Sequence, residues 1–452
     1  MKAFVLCGGK GEKIWPYNEK NQKACLPIGG VPNILRIVRQ LQDFNVDDIV
    51  IVTGHMEEQV KFILRKEKKL SFVSSASKGI GEVIFNLAGH DSDILIYYGD
   101  IYLEDVDLEQ VLNKYSKSGS TVLLEHYKNQ FKTIDHICAQ ADDIVHAFYG
   151  HPREHYVNAR CGGLFIISSE IAHYLNYSPN RFLNLCVGGM SKEEFYLEQC
   201  LQTAIEDGHV LNAAYASKGI IDLDYPWDIM SANEAYCHNI IGNLKDNLIS
   251  SSAMINDTAI IKGNIILGEN SIIGEHVIFE GNCMIGNNTI IKNGAIIGEN
   301  SVIGNNCVIS DYCKISSDTV IGNYNKIGYL AEITGVTFDK VAAVHNCEIF
   351  GVVGTNVDIA ANCQVAIMKF NDSDTVQRVG EKNYQVKFSN GVFLGDYTRT
   401  GVSNTFLPGI KVGVNSALGP GCVIDHDIPS NQLILVKQET IVKDWGPEKY
   451  GW

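Results

Sequence analysis

No Cys-x-x-Cys pair occurs among the 13 cysteines of this 452-residue chain, and no histidine spacing suits zinc. An odd cysteine count fits poorly with a secreted disulfide framework, so a reducing cytoplasm is the expected location. Long apolar runs are missing as well. The start, MKAFVLCGGKG, offers one charge and a short apolar run before glycines, too little for a signal-peptide core, and no later stretch is long enough to span a bilayer. Basic residues are the minority: 37 Lys and Arg against 52 Asp and Glu leave a formal charge of -15. That balance argues against nucleic acid or an anionic membrane surface as partner, and an anionic small ligand would need a locally basic pocket. Proline is scarce, 10 residues against 42 glycines, and 45% of the chain is hydrophobic. At this length, the composition describes two domains rather than one core.

From residue 1 to about 240, short β-rich apolar runs alternate with helical stretches, which predicts an α/β sheet with parallel strands. The clearest strands are AFVLC (3 to 7), DIVIVTG (48 to 54), DILIYYGD (93 to 100) and TVLLEH (121 to 126). Helical spacing of apolar residues predicts helices over 33–44 and 56–69. In a sheet of this order the ligand crevice lies at the carboxyl ends of the strands.

Near residue 250 the pattern changes. An apolar residue recurs at every sixth position from Ile255 through Leu267, Phe279 and Ile303 to Ile327, with small residues such as Ser271, Cys283, Thr289, Ser301, Cys307 and Cys313 four places on. Period six belongs to neither helix nor hairpin. It predicts three short strands per turn of a parallel β-helix, the apolar residue stacked inward and the small one at a tight corner. Two further in-phase stretches, Val353 to Val365 and Leu394 to Ile424, predict that the solenoid resumes after loops near 329–346 and 368–391. The boundaries read as 1–240, 251–428, and a cap or partner-contact tail at 429–452. The period resembles that of left-handed β-helix proteins.

Strand AFVLC runs straight into GGKGEKIWP, where glycines let backbone N–H groups approach phosphate oxygens. Lys23, about a dozen residues on, can bring a second cation to the same anion. The run FVLCGGKGEKIWPYNEKNQKACLPIGGVPNI resembles the amino-terminal signature of sugar-1-phosphate nucleotidyltransferases, keeping Gly9, Gly11, Pro16, Lys23, Leu26 and Pro27. It departs with Glu12 for the usual threonine, Lys13 for arginine and Gln22 for proline. Lys13 keeps the cation without the bidentate fork. Glu12 beside a triphosphate either points to solvent or signals altered nucleotide handling.

The resemblance implies a Rossmann-like nucleotidyltransferase domain, a nucleoside triphosphate and a sugar 1-phosphate as substrates, and Mg²⁺. Cys7, Gly8, Gly9 and Gly11 would border the nucleotide, as would Gly79 and Gly81 in the segment GIGEVI. Lys13 and Lys23 would act on phosphates, and Asp100 with Asp222 would hold magnesium, with Asp224 close by. On the sugar side, Gly163 and Glu194 match the family. Its Glu-Lys-Pro motif appears as Gly150, His151, Pro152, and His151 is either an ordinary loop histidine or a phosphate contact.

A nucleotidyltransferase joined to such a solenoid resembles the bifunctional uridylyltransferase/acetyltransferases of UDP-N-acetylglucosamine synthesis, including their archaeal relatives. That resemblance implies a homotrimer or a multiple of it, and His345 as general base of an acetyl transfer from acetyl-CoA. Two other readings stand beside it. One is a regulatory or scaffold subunit without catalysis, favoured by Glu12 and the altered Glu-Lys-Pro. The other is an acyltransferase whose first half only binds nucleotide sugar.

Overall fold

The computed structural model of the chain describes residues 1–74, 80–89, 92–127, 135–150, 152–177, 197–380 and 382–450. Its first half is built on the apolar runs. Lys2–Cys7 lies parallel to Asp48–Thr53 on one side and to Ile94–Tyr98 on the other, and Leu70–Ser74 extends the parallel set. These strands are apolar on both faces because both are covered, with Phe4, Val50 and Ile96 in one buried layer and Val5, Ile51 and Leu95 in the other. Helix Asn33–Asp43 buries Ile34, Ile37, Val38 and Leu41 along one stripe.

Two expectations need correcting. The second helix spans only Glu57–Leu64, since the RKEKK that follows has no apolar side chain to bury. The sheet is also mixed. Ala159–Ile167 runs antiparallel to Ile94–Tyr98 and to Thr121–His126, a direction that apolar runs do not encode.

In register, Leu6 lies opposite Tyr98 and Cys7 opposite Thr53. The glycine loop after Cys7 and the turn at Gly99 and Asp100 therefore leave the sheet from one edge, the carboxyl edge.

The second half is a three-faced parallel β-helix. Ile272 pairs with Ile290 and Ile290 with Val308, a step of 18 residues, or three hexapeptides, per coil. The inward series from Leu267 to Ile327 is buried throughout. At the corners the small residues hydrogen-bond to the next coil: Ser271, Thr289 and Ser301 donate to the carbonyls of Gly286, Gly304 and Ser316. The residue before the corner takes a left-handed conformation at Asn270, Asn288, Asn300 and Asn306, where asparagine is tolerated best after glycine. Coiling persists to Leu433–Ile434, which pairs with Ala417–Leu418.

The stretch 329–346 is not a loop leaving the solenoid. Glu332–Thr337 and Glu348–Val353 are six-residue strands that run across two faces, and Glu332 pairs with Glu348 at a step of only 16. Each such coil has lost the two residues of one corner, so the inward series slips from Ile333 to Thr337 and from Ile349 to Val353. Glycine makes the bend. Gly335 and Gly351 have φ of 113° and 146°, and a Cβ at Gly351 would run into the Val392 carbonyl oxygen.

The missing corner is where the first domain docks. Met230, from helix Pro226–Tyr236, lies against Gly335 and Gly391. Trp227, Met230, Ile14 and Tyr17 share one buried cluster with Val320, Val336, Val352 and Phe393 of the solenoid.

The second expected loop does leave the solenoid. Within 368–391, Gln377–Val379 and Lys382–Tyr384 form a hairpin that packs on the first domain.

Gly351→Ala is expected to lower unfolding stability by about 2 kcal/mol or more, seen as an earlier urea midpoint by circular dichroism. Gly446→Ala, whose added Cβ meets open space, is expected to leave the midpoint in place.

Candidate functional site

The carboxyl edge of the sheet gathers the charged residues. Lys23 opens a short 3-10 helix, Lys23–Cys25, capped by the Gln22 side chain, which accepts from the Ala24 N–H at 2.5 Å. The same amide donates to the Cys7 carbonyl at 2.8 Å. Gln22, in the place of the family's proline, thus ties the lysine's loop to the end of the central strand.

Lys23 is 7% exposed. Its ammonium lies 2.9 Å from Asp100, 3.1 Å from Asp222 and 2.5 Å from Asp224. Burial alone would favour the neutral amine, but the three carboxylates outweigh it and hold the Lys23 pKa well above its usual value. Asp100 and Asp222 approach each other because Ile221–Asp222 pairs antiparallel with Ile101–Tyr102. Asp224, two residues along from Asp222, also reaches Lys13 at 3.2 Å. Among the described residues it is the one carboxylate that pairs with both lysines, a role that the sequence hinted at only through the Asp-x-Asp spacing, which puts both side chains on one side of an extended segment.

Two lysines against three carboxylates leave one negative charge in excess. Burial first, then Asp224, push the Asp222 carboxyl up to about 7 against the pull of Lys23. Partial burial raises Asp224 as well, but Lys23 and Lys13 outweigh it and hold its carboxyl well below the usual range. Asp100 and Asp222 remain about one-third exposed, both beside the Lys23 ammonium, and their carboxylate oxygens are the donor type that suits a hard divalent cation such as Mg²⁺.

At the rim, a Cβ on Gly8 or Gly9 would meet nothing within 4 Å, so the side-chain direction of each is open, while the Gly8 carbonyl accepts from the His55 N–H at 3.2 Å and Gly54 packs against the Gly8 backbone. Gly11 is left-handed, with φ of 61°, and backs onto the Lys23 side chain. Glu12 is exposed. Cys7 does not join the rim: its thiol is buried against Gly99, its carbonyl is taken by Gln22, and burial pushes its pKa up. Gly81 is buried in the first turn of helix Ile80–Ala88. Gly163, with φ of 68°, sits at a bulge of strand Ala159–Ile167 against Tyr98 and Ile101, which flank Asp100. His345 is exposed at a solenoid corner, its carbonyl accepting from Asn362 of the next coil. Gly79, His151 and Glu194 lie outside the described residues.

Sequence reasoning missed three side chains near this edge. Burial first, then Arg160, push His136 down to about 4, keeping a neutral imidazole within electrostatic reach of Lys13 and Asp224. Tyr225 stacks on Trp227 at 4.8 Å, and Lys13 lies 5.9 Å from its ring centroid. Tyr384, from the solenoid hairpin, accepts a hydrogen bond from the Tyr225 hydroxyl at 2.5 Å.

The first domain matches the family model of the MobA-like NTP transferase domain over residues 3–182, and the solenoid matches that of the bacterial transferase hexapeptide over 279–311 and 300–335. The chain is an NTP transferase domain joined to hexapeptide repeats. It is similar along nearly its whole length to two proteins named "Bifunctional protein GlmU", both from Methanococcus maripaludis. One, from strain S2, is 26% identical over 98% of this chain and 99% of the relative, and the other, from strain C7, is 29% identical over the same shares. A "Bifunctional sugar-1-phosphate nucleotidylyltransferase/acetyltransferase" of Sulfurisphaera tokodaii is 24% identical over 96% of this chain and all of the relative. No helix among the described residues of the transferase domain or the repeats is long and apolar enough to cross a membrane.

A carboxyl raised by the fold holds its proton more tightly folded than unfolded. Asp222 therefore stabilises the metal-free protein below the unfolded carboxylate value of about 4 and loses that contribution as pH rises to about 7. Asp222→Asn is expected to gain thermal stability relative to the parent between pH 4 and pH 8. Calorimetry in the presence of a chelator checks this, and magnesium at pH 8 is expected to close the gap.

Proposed function

We infer that the protein joins a sugar 1-phosphate to a nucleoside triphosphate, forming a nucleotide sugar and pyrophosphate. One observation carries this reading: the buried ammonium of Lys23, held by Asp100, Asp222 and Asp224 at the carboxyl edge of the sheet, with Gly11 of the glycine loop against its side chain. The whole-length similarity to proteins named for this activity supports it. It also favours an enzyme over a scaffold, since a buried lysine with three carboxylates is costly to keep as mere structure.

The reaction is an in-line attack of a sugar-phosphate oxygen on the α-phosphorus, with no covalent enzyme intermediate. Backbone N–H groups at Gly8 and Gly9 cradle phosphate oxygens. Lys13, half-exposed at the mouth, meets the charge building on the leaving pyrophosphate. Lys23 is fixed in one orientation by its carboxylates and aligns the attacking and α-phosphate oxygens, so that positioning is settled before substrate arrives. Asp100 and Asp222 would hold Mg²⁺, which when bound supplies the charge neutralisation that phosphoryl oxygens require. Glu12, turned to solvent, leaves the cradle unobstructed.

Acetyl transfer from acetyl-CoA by the solenoid is the second reading, favoured by the S. tokodaii relative's name and by His345 standing exposed at a corner. Met254, Ile260 and Ile290, exposed on the outside of the first coils, suit a homotrimer in the cytoplasm.

Pure protein with magnesium, each nucleoside triphosphate in turn and a panel of sugar 1-phosphates is expected to release pyrophosphate with one pairing. Lys23→Ala is expected to lower that rate by about 100-fold or more with an unchanged circular dichroism spectrum. Turnover equal to the parent's would remove Lys23 from the mechanism.

A further inference from the structure

The hairpin that leaves the solenoid is fastened at both ends. On the solenoid side, buried Gln377 donates to the carbonyls of Ser389 and Gly409 and accepts from Lys411, itself buried beside Asp427. On the other side, Lys382 pairs with Asp135 at 2.5 Å, an aspartate whose side chain is 7% exposed. Tyr384, 6% exposed, accepts from the Tyr225 hydroxyl and bonds to the Asp135 carboxylate. Lys387 adds a third fastening, to Glu234 on helix Pro226–Tyr236.

The two segments that the hairpin holds are the ones that carry charge into the cleft. Tyr225 follows Asp224, which bonds both lysines, and it begins the helix through a capping box with Asp228. Asp135 precedes His136, which feels the charges of Lys13, Asp224 and Arg160. Lys382, Asp135, Tyr384 and Tyr225 thus form one continuous chain of polar contacts from the solenoid to the residue beside Asp224. Buried polar groups in such a chain are fixed in orientation, because losing one partner leaves the others unsatisfied.

The opposite wall is supported in the same way. The Tyr17 hydroxyl donates to the Val352 carbonyl at 2.7 Å, Asn21 donates to Asp396 at 2.8 Å, and Ser430 donates to Glu19 at 2.6 Å. All three anchor the loop between Lys13 and Lys23 on the solenoid.

We propose that Lys382 and Tyr384 are positioning residues of the nucleotidyl-transfer cleft, supplied by the solenoid and acting through Asp135 and Tyr225 on the placement of Asp224 and the two lysines. The proposal rests on the transfer reading for its kinetic consequence but not for its structural one. A displaced Asp224 would misalign Lys13 and Lys23 while leaving the glycine cradle intact, so the loss falls on the chemical step more than on nucleotide binding.

The test uses the full-length chain with Tyr384→Phe, Lys382→Ala and, as a control on the solenoid surface, Arg399→Ala, which removes only an exposed pair with Asp358. Hydrogen exchange followed by mass spectrometry is expected to show residues 221–228 exchanging about 10-fold faster in the first two variants, with coils 285–327 unchanged. In pyrophosphate release, kcat is expected to fall about 10-fold while KM for the triphosphate moves less than about 2-fold. Lys382→Arg is expected to restore both. Parental exchange at 221–228 in both variants overturns the proposal, as does a pure KM effect. Should the parent release no pyrophosphate from any pairing, the transfer reading fails, and the exchange measurement still decides whether the brace exists.

Discussion

The buried ammonium of Lys23 is the constraint on which the first domain depends. A charge at 7% exposure is tolerated only with close partners, and these come from segments about 75 and 200 residues away in sequence. Bringing them together demands that three parallel strands end level, that the chain turn back at Gly99 to set Asp100 facing inward, and that Ile221–Asp222 cross to pair with Ile101–Tyr102. Local features serve the same end. Gln22 caps the turn that presents the lysine, and the bulge at Gly163 makes room for Tyr98 and Ile101 around Asp100. Remove the lysine, and three carboxylates face one another with Lys13, paired to Asp224, left as their counter-charge.

The second constraint is the geometry of the solenoid. A coil of 18 residues has three corners, and a regular prism of such coils offers flat faces with no recess. Two coils shortened to 16 residues by glycine-bent strands remove one corner, and the helix Pro226–Tyr236 occupies that side. Because the helix begins at the segment carrying Asp222 and Asp224, docking it also fixes the acidic side of the cleft. The solenoid is therefore a structural part of the first domain's site as well as a repeat array, and an apolar cluster running through both halves makes the contact continuous.

Much of this was legible in the sequence, and the limits have physical causes. Period six survives in the sequence because every coil must place an inward side chain and a small corner residue at the same angle, so the solenoid announces itself over thirteen hexads. The slip at 333–337 hides there for the same reason: two deleted residues look like a lost repeat, although the chain never leaves the coil. The glycine loop, Lys23, Asp100 and Asp222 were readable because backbone access and charge need particular residue types. The burial of Cys7 was not legible in the same run, because it is the end of the strand, packed against Gly99, that turns its thiol inward. Lys382 and Asp135 are 247 residues apart and lie in segments without period or motif. Only the fold reveals their pairing.

Electrostatics joins the composition to the proposed reaction. A chain with a formal charge of -15 was expected to need a basic pocket for an anionic ligand, and the cleft does hold Lys13, Lys23 and, nearby, Arg160. Yet Arg160 is paired with Glu125, the lysines face three carboxylates, and His136 is neutral. On its own side chains the cleft offers a triphosphate no net positive charge. On the proposed reading, nucleotide and divalent cation must then each raise the affinity for the other, because each supplies the charge that the other lacks, and thermodynamic linkage makes the two effects equal. The same balance gives the lysine-carboxylate cluster its use before substrate binds: with both lysines already paired, Lys23 waits in a fixed orientation, and binding redistributes its partners without having to order the side chain anew.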